Sequence, residues 1–246
     1  MSGDAQTATL FGVGTGPGDP ELLTVKAVNA LARCPVVAYF CKTAGRGNAL
    51  STVADHLRAD HIMLPMAYPV TTELPYDGQA YHDCIEAFFD ESATAVATHI
   101  AAGRSVAVLS EGDPFFYGSF MHLFVRLHDR VPTEVIPGVP AMLAGAARLP
   151  RPIAMRDDVL SVIPGTLPDV ELGEALAIAQ AAVVMKVGRN LARIRAALDA
   201  IGATERAWYV ERASQGRERV LPLSEVSDDR APYFSMVLLP GTGKRL

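Results

Sequence analysis

Three short loops hold the residues whose types and spacing suit chemistry: GTGPGDP over residues 14–20, SEGDPFFYG over 110–118 and IPGVPA over 136–141. Glycine lets a backbone approach a ligand closely and proline keeps it rigid, so such loops offer main-chain N–H and C=O groups to a neutral or zwitterionic ligand. A phosphate would call for more lysine or arginine. The first loop is not a nucleotide cradle either. Counting G-x-G-x-x-G from Gly12 puts Pro17 in the third glycine's place, and the nearest lysine, Lys26, lies inside the following helix rather than in a P-loop. Asp19 suits a helix N-cap with Pro20 at the first helical position, and Asp113 also reads as a cap rather than as one of a catalytic carboxylate pair. No Ser-His-Asp or Cys-His set lies in these loops. The chemistry they suit is one that needs little acid or base: group transfer from an activated donor, driven by alignment of two bound reactants.

Each loop follows an expected strand. TATLFGVG is a strand, PELLTVKAVNALARC a helix, VVAYF a strand, NALSTVADHLRA a helix and HIMLPMAY a strand. A polar loop around TTELPYDGQ leads to a long helix over residues 80–102, closed by Gly103; SVAVLSEGDP, FYGSFMHLFVRLHD and TEVIPG then give strand, helix and strand. This alternation specifies an α/β domain with a mostly parallel sheet over residues 1–138, whose strand ends would bring the three loops to one cleft. Prolines and glycines cluster around a small-residue helix from Pro140, and a second α/β domain is expected over 139–246. There LSVIPGT, AVVMKVG, RAWYVERA and YFSMVLLPG are strands, and residues 171–181 and NLARIRAALDAI are helices. More strand and less helix implies a mixed sheet. The terminal GTGKRL, with no helix after it, reads as a frayed tail.

The 246 residues carry a net charge of −5, which argues against a general nucleic-acid surface. Charged residues interrupt every apolar run, and the N-terminus lacks the pattern of a secretion signal, so a soluble cytoplasmic protein with no membrane partner is expected. Cys34, Cys41 and Cys84 form no C-x-x-C, and the six histidines form no H-E-x-x-H. Free thiols and no bound metal follow. His122 and His128 are assigned to solvent contact or a core hydrogen bond.

In order, GVGTGPGDPELLT, SEGDPFFYG, VIPGVPA and VMKVGRN resemble the tetrapyrrole methylases, which transfer a methyl group from S-adenosylmethionine to porphyrinoid intermediates. The resemblance runs from residue 10 to about 239. VVAYFCKTAGRGNAL, MKVGRNL, YVERAS and APYFSMVLL are similar to the branch that methylates C20 of precorrin-2, giving precorrin-3A in cobalamin synthesis. The siroheme-forming branch would carry an Asp after the second strand, where this chain has Tyr39, Phe40 and Cys41.

The resemblance implies two α/β domains with the active site in the cleft between them. It implies a donor site at Pro17, Glu111, Gly112, Asp113, Phe116, Tyr117, Pro140, Ala141, Met185 and Ala213. The substrate's eight carboxylates would need local cations, for which Lys42, Arg46, Arg156, Lys186 and Arg189 are the candidates. A homodimer is expected from the same resemblance. The anaerobic counterpart acting on cobalt-precorrin-2, another methylase of the fold (an rRNA ribose methylase or the diphthamide enzyme), and a non-enzymatic tetrapyrrole-binding module are the alternatives.

Overall fold

The computed structural model describes residues 7–42, 47–70 and 78–243. Chain contacts divide it into two compact units, Met1–Pro140 and Ala141–Leu246.

The first unit holds a five-stranded sheet of β1 (Leu10–Gly14), β2 (Val36–Lys42), β3 (Ile62–Tyr68), β4 (Val106–Ser110) and β5 (Thr133–Ile136), in the order β3-β2-β4-β1-β5. All of its pairings are parallel. Parallel strands covered on both faces read as continuous apolar runs, which is why β1, β2 and β4 are almost wholly buried. Alternate residues take opposite faces. Leu10, Ala38, Val106 and Val108 pack with α3 (Gln79–Ala101) and α4 (Phe120–Leu127), whereas Val13, Val37, Ala107 and Leu109 pack with α1 (Val25–Arg33) and α2 (Asn48–Thr52).

In the second unit, β6 (Leu160–Pro164), β7 (Ala181–Met185), β8 (Trp208–Glu211), β9 (Arg219–Pro222) and β10 (Ser235–Leu239) form a sheet in the order β6-β7-β10-β8-β9. Only β6 and β7 run parallel, so the sheet is mixed. On one face α6 (Asp169–Ile178) and α7 (Leu191–Ala200) bury Leu172, Leu176, Leu191, Ile194 and Leu198. On the other lies α5 (Ala141–Ala146), whose Gly145 passes so close to Met236 that a Cβ there would sit 2.7 Å from its sulfur.

Several elements differ from the sequence expectation. The helix expected over 20–34 is broken: Asp19 caps only a turn of 3-10 helix over Pro20–Leu22, and Thr24 starts α1 by accepting from the Ala27 N–H. Pro20 and Thr24 are both start signals, and the chain uses them in succession. The helix expected over 48–59 ends at Thr52 before a 3-10 turn, the one over 116–129 contracts to α4, and the one over 171–181 shifts to α6. The small-residue helix starts at Ala141, directly after Pro140. β9 was not anticipated; its RVLP run is too short to show a period. Residues 241–243 are not frayed. The Gly241 N–H donates to the Ile153 carbonyl (2.8 Å) and the Gly243 N–H to the Asp158 carboxylate (3.2 Å). Residues 244–246 lie outside the described residues, as do 71–77 of the polar loop.

Leu123 of α4 is fully buried against the first sheet. Truncating it, Leu123→Ala, should cost about 2–5 kcal/mol of stability, read as a lowered urea midpoint.

Candidate active site at the strand ends

Because β1 lies between β4 and β5, the loops leaving these three strands emerge side by side at the carboxyl edge. The β1 loop leads to α1 on one face and the β4 loop to α4 on the other. Neighbouring strands whose connections part to opposite faces open a crevice, and this is where open α/β sheets bind ligands.

The loops are joined there by main chain. Gly16 and Gly112 exchange both backbone hydrogen bonds, at 3.2 and 2.8 Å. Buried Thr15 donates through its N–H (2.9 Å) and its hydroxyl (3.0 Å) to the Ser110 carbonyl. Asp113 closes the third side, Oδ1 accepting from the Phe115 N–H at 2.9 Å and Oδ2 from the Gly138 N–H at 3.0 Å. It therefore caps its own turn and also holds the loop after β5.

Glycine is obligatory at this junction. A Cβ on Gly14 would lie 2.5 Å from the Gly138 nitrogen and 2.9 Å from the Gly112 carbonyl oxygen, and one on Gly138 would overlap the Gly112 carbonyl. Gly16 and Gly112 also adopt φ of 73° and 66°, the left-handed region that glycine enters without steric cost.

Of the donor candidates in the first unit, Pro17, Glu111, Gly112, Asp113, Phe116 and Tyr117 all lie on the joined loops, and Pro140 follows four residues after β5. Pro17 is buried, Phe116 half-buried and Tyr117 exposed. Glu111 keeps solvent contact along the residue, yet the packing around its carboxyl group raises its pKa. The polar side chain of Asn48, at the first residue of α2, opposes that rise. Asn48 escaped the sequence analysis, since an asparagine opening a helix reads as a turn former and nothing local puts it beside Glu111.

In the second unit, Met185 ends β7 and buried Ala213 follows β8. Both β7 and β8 run antiparallel to β10, so these residues share one edge of the sheet. Lys186 and Arg189, both exposed, sit in the loop after β7 at that edge. Arg156 does not join them. It precedes β6, which runs parallel to β7, and so lies at the opposite edge, about 17 Å away along five residues of strand. Ala141 opens α5. Lys42 is exposed at the end of β2 in the first unit, and Arg46 lies outside the described residues.

Backbone strain collects at the same positions. Tyr117 and Lys186 both have φ of 57°, while Arg212 (49°) and Ser214 (61°) flank Ala213. Such conformations cost non-glycine residues about 1–3 kcal/mol each and persist where the surroundings impose them, often at ligand sites. Among the described residues, no group of three or more His, Cys, Asp or Glu side chains is placed to hold a metal ion, and no helix is long and apolar enough to cross a membrane. Cys34 and Cys41 are buried free thiols, and burial pushes the Cys34 thiol up to about 12. His122 stacks on Phe89 with ring centroids 4.0 Å apart.

The family model for tetrapyrrole (corrin/porphyrin) methylases matches residues 9–227, across both sheets and all three joined loops. The chain belongs to this family. It is 56% identical over 232 residues to a precorrin-2 C(20)-methyltransferase of Sinorhizobium sp, spanning 94% of this chain and 95% of that protein. To a cobalt-precorrin-2 C(20)-methyltransferase of Salmonella typhimurium it is 33% identical, over 94% and 95% of the two chains. The crystal structure of a uroporphyrin-III C-methyl transferase from Thermus thermophilus, complexed with S-adenosylhomocysteine, superposes with a TM-score of 0.64 at 27% identity, over 94% of this chain and 91% of that one. Tetrapyrrole methylases take their methyl group from S-adenosylmethionine, and this junction suits such a donor. It offers rigid main chain and a buried proline, with no lysine or arginine among residues 12–20 or 110–118.

Two substitutions test the junction. Gly138→Ala should abolish binding of S-adenosylhomocysteine in a calorimetric titration, because its Cβ forces the loops apart. Asp113→Ala removes two charge-assisted hydrogen bonds and should lower stability by about 1–3 kcal/mol in urea unfolding.

Proposed function

We propose that the chain is an S-adenosylmethionine-dependent C-methyltransferase that adds a methyl group at C20 of precorrin-2, giving precorrin-3A in cobalamin biosynthesis. The observation that carries this reading is the near-complete alignment, at 56% identity, with a protein named for that reaction. The glycine junction at the strand ends supports it. Metal-free precorrin-2 is favoured over its cobalt complex because identity to the cobalt-precorrin-2 relative is 33%.

The donor supplies an electrophilic methyl group on a sulfonium sulfur. The residues assigned to hold it are Pro17, Glu111, Gly112, Asp113, Phe116, Tyr117, Pro140, Ala141, Met185 and Ala213. Their part is orientation. Loops fixed by mutual hydrogen bonds and proline need little reordering on binding, so donor and ring carbon can be kept in near-attack geometry with water excluded. Lys42, Arg46, Lys186 and Arg189 are assigned to the substrate carboxylates, while Arg156, at the far edge of its sheet, is the weakest of the original five. The protein is proposed to bind no metal of its own and to work as a cytoplasmic homodimer, which light scattering on the purified protein would check as a doubled mass.

The deciding experiment is anaerobic incubation with S-adenosylmethionine and, in parallel, precorrin-2 or cobalt-sirohydrochlorin, followed by mass and absorbance. One added methyl, placed at C20 by NMR and formed faster on the metal-free substrate, is expected. A methyl at another carbon, or none on either substrate despite donor binding, would overturn the assignment.

A further inference from the structure

Glu211 ends β8 and, among the described residues, is the only Asp, Glu, Lys or Arg that is buried. A carboxylate taken out of water is costly unless partners surround it. Here the Tyr209 hydroxyl donates to Oε2 at 3.0 Å and Arg212 Nη1 donates to Oε1. Arg219 Nη1 lies 3.8 Å from Oε2 and pairs with Asp228 at 3.1 Å. We propose that Glu211 is a positioning residue for the methyl donor: through Arg212 it holds the chain after β8 in the turn that presents Ala213. The inference rests on the function proposed above, which assigns Ala213 to the S-adenosylmethionine site.

The pairing of adjacent residues is what ties Glu211 to the turn. Tyr209 and Glu211, two residues apart on one strand, share the face that α6 and α7 cover. A continued strand would send Arg212 to the opposite face, with Val210. Instead φ is 49° at Arg212, the chain turns, and its guanidinium meets the Glu211 carboxylate. Glycine would enter this left-handed region without steric cost. The chain has arginine there, and the ion pair offsets the cost that its Cβ brings.

The rest of the turn is braced around Ala213. The Arg212 N–H donates to the Phe234 carbonyl at 2.8 Å, and the Gln215 N–H to the Arg212 carbonyl at 2.9 Å. Ser214, with φ of 61°, donates its N–H to the Glu218 carboxylate, which also accepts from Arg148 Nε at 3.0 Å. Ala213 thus lies between two left-handed residues, each tied to its own carboxylate. The enclosed Ser214 hydroxyl has no hydrogen-bond partner among the described residues. A turn arranged only to satisfy its own polar groups would pair it; this one keeps strained backbone and an unused hydroxyl beside a residue assigned to the donor.

The test measures S-adenosylhomocysteine affinity by calorimetry for wild type, Arg212→Ala, Arg212→Gly, Glu211→Gln and Glu211→Gln/Arg212→Gly, with urea unfolding to confirm that each is folded. Without the pair, a residue bearing a Cβ returns to its ordinary φ, so Arg212→Ala is expected to bind about 5- to 30-fold more weakly. Glycine visits both regions about equally, so Arg212→Gly should recover that loss to within about twofold of wild type. Glu211→Gln keeps the shape and removes the charge. It should weaken binding in the same direction, with KM for S-adenosylmethionine rising by more than kcat falls, and adding Arg212→Gly should restore the affinity. If either Arg212→Ala or Glu211→Gln binds as wild type does, main-chain bonds alone hold the turn and the proposal is overturned. It is overturned too if glycine at 212 rescues neither background, because the arginine side chain would then be a ligand contact. Should Glu211→Gln not fold, the comparison of alanine with glycine at 212 decides by itself. If wild type binds no S-adenosylhomocysteine, the donor reading falls and the positioning role with it.

Discussion

Backbone contact among three glycines governs the architecture of the candidate site. Gly14, Gly112 and Gly138 end or follow β1, β4 and β5, and their main chains approach so closely that a single added methyl group would collide. That approach is possible only because β1 sits between the other two strands. Once the loops touch, their polar groups satisfy one another: Gly16 with Gly112, Thr15 with Ser110, and Asp113 with Gly138. Buried backbone groups need partners, and here most of the partners come from another loop. The result is rigid without a large apolar contact, which suits a site whose task is to orient two reactants.

The second unit uses its sheet differently. Reversing β10 against both β7 and β8 brings the ends of the latter two strands to one edge, with Met185, Lys186, Arg189 and Ala213. At that edge Lys186, Arg212 and Ser214 hold left-handed backbone. The opposite edge is closed by structure instead. There Asp158 accepts from the Met155 and Gly243 N–H groups, and Arg151 donates to the Gly241 carbonyl, tying the last described residues to the turn before β6. The exposed cations Lys186 and Arg189 thus lie at one edge and the tethering at the other, where Arg156 (54°) also holds left-handed backbone.

Much of this was written locally in the chain. Buried parallel strands announce themselves as apolar runs, and Asp, Thr, Pro and Gly mark the turns, so the two α/β units, the parallel and mixed sheets and the three loops were legible. Misplaced helix boundaries arose where two valid signals compete, as at Asp19–Pro20 and Thr24, because only packing decides which one a helix uses. β9 and the tethered C-terminal residues were not legible, since short strands and tails are fixed by partners distant in sequence, such as β8 and Asp158.

The order of motifs along the chain settled the family, because each motif is contiguous and its residue types are dictated by local backbone geometry. The spatial roles came from tertiary structure alone. Strand order made the three loops one junction, converted Asp113 from a cap into a cap and a clip, and set Asn48 beside Glu111. It also separated Arg156 from Lys186 and Arg189, which the expected need for cations around a carboxylated substrate had grouped together. Sequence records what each segment can form, but which segments meet depends on strand pairings between residues about 100 positions apart, such as Gly14 with Ser110.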